Sequence, residues 1–351
     1  MRMKSWLAAI ILFAGALVSS ACSGGETPSS SGGESSTSGS GARSLEKADL
    51  VLNWFPEAEH GGFYAALIHG YYKDEGIEMT ILPGGVDIPV SPRVGTGRVM
   101  FGISNAEQVL LGRAEEVPIV ALMAPLQTSP RCILVHEETG ITSLDQLNRV
   151  KTLAMSNRDP FSFFLRSKVN LEGVNIVPYP GNVVPFIVNK DYAMQGYVFS
   201  EPFVARSRGA NPRPLMMSEL GWNPYSSCLI TSETLIAKNP DLVRRVVRAS
   251  VRGWVKYLQD PAETDAHIHS LNREMDPQIL EMGAASLREL AMGEEAMANG
   301  IGWMTAQRWE TLFRQLVDVG VLSANSVRIN ETFTMDFYPV GEEFTRLPQA
   351  E

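Results

Sequence analysis

The stretch Val99–Met123, VMFGISNAEQVLLGRAEEVPIVALM, decides the fold. Val99 to Ile103 is apolar and β-rich and reads as a strand. Ala106 to Ala114 has helical spacing, and Pro118 to Met123 is a second apolar run. Upstream, Asp49 to Phe55 reads as a strand, Gly62 to Asp74 as one helix and Met79 to Leu82 as a strand. A turn at Gly84-Gly85 then leads into a helix over Pro89 to Gly95. The resulting βαβαβαβ order predicts an α/β layer architecture with a largely parallel sheet.

Downstream the pattern restarts. Cys132 to Val135 is extended, Ser143 to Leu147 a short helix and Thr152 to Met155 a strand. Asp159 as N-cap, with Pro160 at the first helical position, opens a helix that runs through Lys168. Ile176 to Tyr179 and Ala193 to Phe199 read as strands, and Ser227 to Ile230 as an extended run. After Asn239-Pro240-Asp241 a long helix carries a core stripe of Val243, Val246, Val247, Val251, Trp254, Val255 and Leu258. The simplest account has one domain from 45–130 plus 226–340 and a second from 131–225. Two crossovers join them, and such a hinge places a ligand cleft between the domains.

Composition narrows the function. In 351 residues, 30 Lys+Arg against 39 Asp+Glu give a net charge of −9, which disfavours gripping nucleic-acid phosphates. Three cysteines are too few for a disulfide framework or a Cys-rich metal site. Arg2 and Lys4 precede an apolar run, Trp6 to Val18, short for a membrane span but suited to a signal-peptide core. Val18-Ser19-Ser20-Ala21-Cys22 resembles a lipobox with Ser19 in the usual leucine position. Residues 1–22 therefore read as a lipoprotein signal peptide, with Cys22 as the lipidated residue. Residues 23–44 are rich in Ser and Gly and read as a flexible tether. The expectation is a monomeric body held at the outer face of a bacterial membrane.

Particular residues carry a family resemblance. Leu52-Asn53-Trp54-Phe55-Pro56, His60, Phe63-Tyr64, Gly70-Tyr71-Tyr72 and Glu75-Gly76-Ile77 are similar to the opening of the thiamine-precursor family. The match continues through Val94 to Gly97, Phe101 to Ser104, Ala124 to Pro130, Ser200-Glu201-Pro202, and Trp309 with Gly320-Val321-Leu322. The resemblance implies a two-domain type II periplasmic-binding-protein fold. It also implies a solute-binding protein of an ABC importer, working with a permease and its ATPase, for a thiamine pyrimidine precursor or a sulfonate- or nitrate-type anion. A branch of the family is a pyrimidine synthase. Where that enzyme carries a lysine and a histidine this chain has Ser104 and Gln108, which cannot supply imine or imidazole chemistry. Neither an enzyme nor a cofactor is expected.

Candidate ligand-binding residues follow. Trp54, beside Asn53 at a strand end, suits an aromatic platform, with plain packing as the competing use. His60 before Gly61-Gly62 is read as a ring partner or a local cap, and Tyr64 as a hydroxyl donor or a core residue. Glu201 matches a ligand-binding glutamate in the resemblance, against a surface role; a carboxylate accepts hydrogen bonds from an amino-heterocycle edge. Ser104, Asn105 and Gln127 are polar residues able to complete such a ring of contacts. Ser156 and Asn157, before a helix, instead suit an anion, although Asp159 opposes one. The balance favours a neutral or cationic heterocycle. His267 and His269 lack further metal ligands, Cys132 and Cys228 are either a disulfide or free buried thiols, and Met275, Met282, Met292, Met297 and Met304 read as core fillers.

Overall fold

The computed structural model describes residues 44–86 and 88–347. The leader, Cys22 and the tether up to residue 43 lie outside the described residues. Strand β1 (Glu46–Val51) pairs in parallel with β2 (Ile77–Leu82), in register from Glu46 opposite Ile77 to Val51 opposite Leu82. On its other side it pairs in parallel with β3 (Phe101–Ser104). Strand β4 (Ile119–Met123) is buried along its whole length, as a continuous apolar run requires. A second sheet is built from β5 (Arg131–His136), β6 (Thr152–Ala154), β7 (Asn175–Val177), β8 (Tyr192–Tyr197) and β9 (Pro212–Met216). The chain then returns to the first sheet as β10 (Cys228–Ser232).

The sheet orders are β2-β1-β3-β10-β4 and β7-β6-β8-β5-β9. The first sheet is therefore mixed, which corrects the expectation of a largely parallel one: β10 lies between β3 and β4, antiparallel to both. The cause is topological. Strand β4 runs towards the crossover and β10 comes back from it, so the two must point in opposite directions. In the second sheet β5 likewise lies between β8 and β9, antiparallel to both. Two lobes result, joined by residues 124–130 and 217–227. The crossovers touch through a bridge between Leu126 and Ser226, and Ser129 N donates to Asn223 Oδ1. The outer edge of β4 is covered by the C-terminal segment, where Ala121 exchanges hydrogen bonds with Thr332 and Thr334.

Local chemistry explains the helices. Ala106–Ala114 and Pro160–Lys168 match the sequence reading, and Asn239 Oδ1 accepts the Leu242 N–H to open Pro240–Gln259. The single helix expected over Gly62 to Asp74 is instead two, Gly61–Ile68 and Tyr71–Asp74, because Gly70 takes a left-handed φ of 77°. All seven predicted stripe residues of Pro240–Gln259 are buried, and Trp254 meets Phe63 edge to face at 5.7 Å. Cys132 and Cys228 are buried free thiols in separate clusters. Met304 is buried, whereas Met282 and Met297 are exposed and fill no core gap. His267 stands edge-on to Tyr64, and His269 Nδ1 bonds the Met275 carbonyl.

Candidate ligand cleft

Both sheets end their strands at the same opening. Beyond β1 the chain turns through Asn53 to Glu57, and beyond β3 Asn105 begins the Ala106–Ala114 helix. From the second lobe come Ser156 to Asp159 after β6, Pro178 to Gly181 after β7, and Tyr197 with Glu201 at the end of β8. Arg131, the first residue of β5, joins them because β5 is antiparallel to β8, which puts Arg131 directly opposite Tyr197. These segments enclose a cavity of about 1140 Å³ between the lobes.

Seven of the ten candidate residues line this cavity: Asn53, Trp54, Ser104, Asn105, Ser156, Asn157 and Glu201. Trp54 is half-buried and meets Phe55 edge to face at 5.5 Å. Its backbone is braced by Gly84, whose N–H donates to Trp54 O at 3.0 Å; a Cβ at Gly84 would lie 2.6 Å from that oxygen. Asn105 is placed to cap its helix, yet its side chain turns away. Its Nδ2 donates across the lobes to Tyr197 Oη at 2.8 Å, and its Oδ1 accepts from Ser227 N. Ser156 Oγ accepts the N–H groups of Arg158 and Asp159, while Asn157 Oδ1 accepts from Arg166. Asp159 stands at the N-cap without a side-chain capping bond, so the local turn is held by Ser156.

The other three lie elsewhere. His60 is fully buried: its Nε2 is 2.9 Å from Asn53 Oδ1 and its Nδ1 accepts the Glu57 N–H at 3.4 Å, so it braces Asn53 from behind. The reason is the pair Gly61-Gly62, which presses onto the rings of Tyr257 and Trp254 and draws His60 inward. Tyr64 is core, and Gln127 donates to the Ala124 and Trp303 carbonyls at the crossover.

Electrostatics set the chemistry. Among the described residues, Glu57, Glu59, Glu115, Asp159 and Glu201 line the cavity against two guanidiniums, Arg131 and Arg158. Glu201 accepts from Tyr179 Oη at 2.9 Å and from Tyr197 N at 2.7 Å. Gly196, mid-strand in β8, leaves it room, since a Cβ there would stand 3.1 Å from Glu201 Cβ. Burial raises the Glu201 carboxyl, an effect these hydrogen bonds and Arg131 partly offset. Burial, with Glu59 and Glu201 nearby, also pushes Glu57 well above the usual carboxylate range. Glu57 accepts a cross-lobe bond from Ser200 Oγ at 2.8 Å. Both oxygens of buried Glu59 lack a hydrogen bond, although Oε1 stands 3.0 Å from His60 Nε2; the single N–H there aligns with Asn53. The sequence reading missed Glu57, Glu59, Arg131, Tyr179 and Tyr197. Their only local signal is polarity, at or just beyond strand ends for Arg131, Tyr179 and Tyr197 and in the turn before the Gly61–Ile68 helix for Glu57 and Glu59.

Behind the cleft, burial lifts the Glu107 carboxyl to about 7, with Asp159 adding to the rise and Arg131 opposing it. A raised carboxyl keeps its proton in the folded state after the unfolded chain has lost it. Its contribution is therefore full below pH ~4.5 and declines as pH rises towards 7. Glu107→Gln should remove this dependence, gaining up to roughly 3 kcal/mol over the parent chain at pH 8 and little at pH 4. Urea unfolding at both pH values checks it, and an equal effect at both would contradict it.

The comparisons with known proteins agree with this architecture. A family model described as NMT1/THI5 like matches residues 57–264, more than half of the chain. The chain belongs to the NMT1/THI5-like family. It is 27% identical over 316 residues to the riboflavin-binding protein RibY of Chloroflexus aurantiacus, covering 85% of this chain and 88% of that one. It is 21% identical to the formylaminopyrimidine-binding protein of Halalkalibacterium halodurans, covering 78% and 85%. A 4-amino-5-hydroxymethyl-2-methylpyrimidine phosphate synthase of Schizosaccharomyces pombe is 22% identical, covering 67% and 72%. In fold, the chain resembles the alkanesulfonate-binding protein SsuA of Xanthomonas axonopodis pv. citri, with a TM-score of 0.60, 12% identity and coverage of 84% and 99%. The architecture is the two-domain type II periplasmic-binding-protein fold, and the family includes both binding proteins and enzymes.

Proposed function

We propose that this chain is the extracytoplasmic solute-binding component of an ABC importer and holds a neutral or cationic heteroaromatic between its lobes. The observation that carries the reading is the joint placement of Trp54 and Glu201, one from each lobe, on one cavity in which acidic side chains outnumber guanidiniums. Trp54 supplies a flat apolar surface, and Glu201 an acceptor for ring or amino N–H groups. A free sulfonate or nitrate would meet five acidic side chains against two guanidiniums, a balance that disfavours it. At about 1140 Å³ the cavity exceeds the usual ~300–1,000 Å³ of ligand pockets, leaving room for a fused ring system. The names of the riboflavin- and formylaminopyrimidine-binding relatives support the same class of solute. Ser104 and Gln108 line the cavity where the synthase branch carries lysine and histidine, which supports capture over conversion.

In this reading Cys22 carries a lipid, residues 23–44 tether the body to the outer face of the membrane, and a permease with its ATPase receives the solute. No helix among the described residues is long and apolar enough to cross a membrane. Closure needs a solute that touches both lobes, because only a differential contact shifts the open–closed equilibrium. Isothermal titration of the purified chain with riboflavin, formylaminopyrimidine and the sulfonate buffer MOPS tests the reading. At least one heterocycle should bind and MOPS should not; MOPS binding without either heterocycle would overturn it.

A further inference from the structure

Tyr197 has a hydrogen-bonding arrangement that the reading above does not use. Its hydroxyl oxygen accepts from Asn105 Nδ2 at 2.8 Å and from Arg131 Nη2 at 3.1 Å. Both partners are donors only at those atoms, so the two lone pairs are filled and the hydroxyl proton must point elsewhere. Among the described residues no acceptor takes it, and Tyr197 lines the cavity. Burial holds the phenol above its ordinary range, which keeps that proton in place.

Arg131 stands beside it with donors to spare. Its guanidinium lies over the Phe161 ring at 4.7 Å and the Tyr197 ring at 4.2 Å, so its plane is held by two aromatic faces. Among the described residues no carboxylate comes within ion-pair distance of the guanidinium, and its one hydrogen bond goes to Tyr197 Oη. A half-buried guanidinium with free N–H groups facing a cavity is an incomplete site.

We propose that Tyr197 Oη–H and the Arg131 guanidinium form a paired donor site for a carbonyl oxygen of the bound heterocycle. The inference rests on the heteroaromatic reading above and narrows it. Glu107, Asp159 and Glu201 surround Arg131 at longer range, so the local field does not favour a full negative charge. A neutral carbonyl oxygen takes the short-range hydrogen bonds without that repulsion. Meanwhile Glu201 Oε2, which accepts from Tyr197 N at 2.7 Å, brings an acceptor to the same cavity as the paired donors. A ring carrying N–H and C=O groups together, as in a cyclic imide or ureide, answers both ends.

Two pteridines that differ at positions 2 and 4 and in the ring N–H groups the dione brings with it test it: lumazine, the 2,4-dione, and 2,4-diaminopteridine. Calorimetric titration of the full chain at pH 7 should show lumazine binding at least about tenfold more tightly. Tyr197→Phe, which keeps the ring under Arg131, should cut that ratio towards one. Arg131→Gln should do the same, with thermal melting confirming that both variants fold. Glu201→Gln should weaken both probes while leaving the ratio intact. Equal binding of the two probes, or a ratio that survives Tyr197→Phe, overturns the carbonyl site and leaves the heteroaromatic reading standing. Failure of both pteridines, riboflavin and formylaminopyrimidine to bind the parent chain defeats that reading, and the carbonyl site with it.

Discussion

Glu201→Ala is expected to lower the affinity for the heteroaromatic solute by roughly 30- to 100-fold, the worth of charge-assisted hydrogen bonds to a desolvated carboxylate. The variant also strands the Tyr197 N–H and the Tyr179 hydroxyl, both of which Glu201 accepts. Part of the loss is therefore structural, and Glu201→Gln separates the two. Glutamine keeps an acceptor for Tyr197 N but removes the charge, so about tenfold of the loss should remain with little change in melting temperature. Trp54→Ala should weaken the same solute through lost stacking, by about tenfold, without the melting shift. Unchanged calorimetric affinity in both Glu201→Gln and Trp54→Ala would remove this cleft as the binding site.

Gly253→Ala is expected to be among the most destabilising single-methyl changes in the body. Alanine favours an exposed helix interior over glycine by ~1 kcal/mol. Here the added Cβ would lie 2.2 Å from Gly62 O and 2.6 Å from Ala66 Cβ, where the Pro240–Gln259 helix meets Gly61–Ile68 backbone to backbone. Overpacking of this kind costs 1–3 kcal/mol or more, and a contact with a carbonyl oxygen belongs at the upper end, so a net loss of roughly 2 kcal/mol or more is predicted. The effect reaches the cleft. The Gly61–Ile68 helix follows directly on His60, which braces Asn53, so separating the two helices loosens one wall of the site. Urea unfolding measures the loss; a raised midpoint would show that the helices move apart freely.

Much of the fold could be read from local chemistry. The Asp159-Pro160 start placed the Pro160–Lys168 helix to the residue, and the apolar stripe of Pro240–Gln259 is buried as its spacing demands. Strand direction was not legible in the same way. The antiparallel seat of β10 depends on the chain returning through a crossover, which hydropathy does not record. The site divides along the same line. Trp54, Asn105 and Glu201 stand at element ends, where a strand or helix boundary marks them. Arg131 and Tyr197 meet only through the register of β5 on β8, and nothing in either neighbourhood announces the pair. His60 misled for a physical reason: two glycines beside a histidine suggest access to a ligand, whereas here they let a helix press against Tyr257 and Trp254.

On the proposed function, the lobes hold a heteroaromatic solute and release it chemically unaltered. Native mass spectrometry of the chain, saturated with the heterocycle it binds and then denatured, measures this directly. One solute per chain, recovered at its original mass after prolonged incubation, is the predicted result. A solute recovered at a changed mass, or no bound species at saturating concentration, would contradict it.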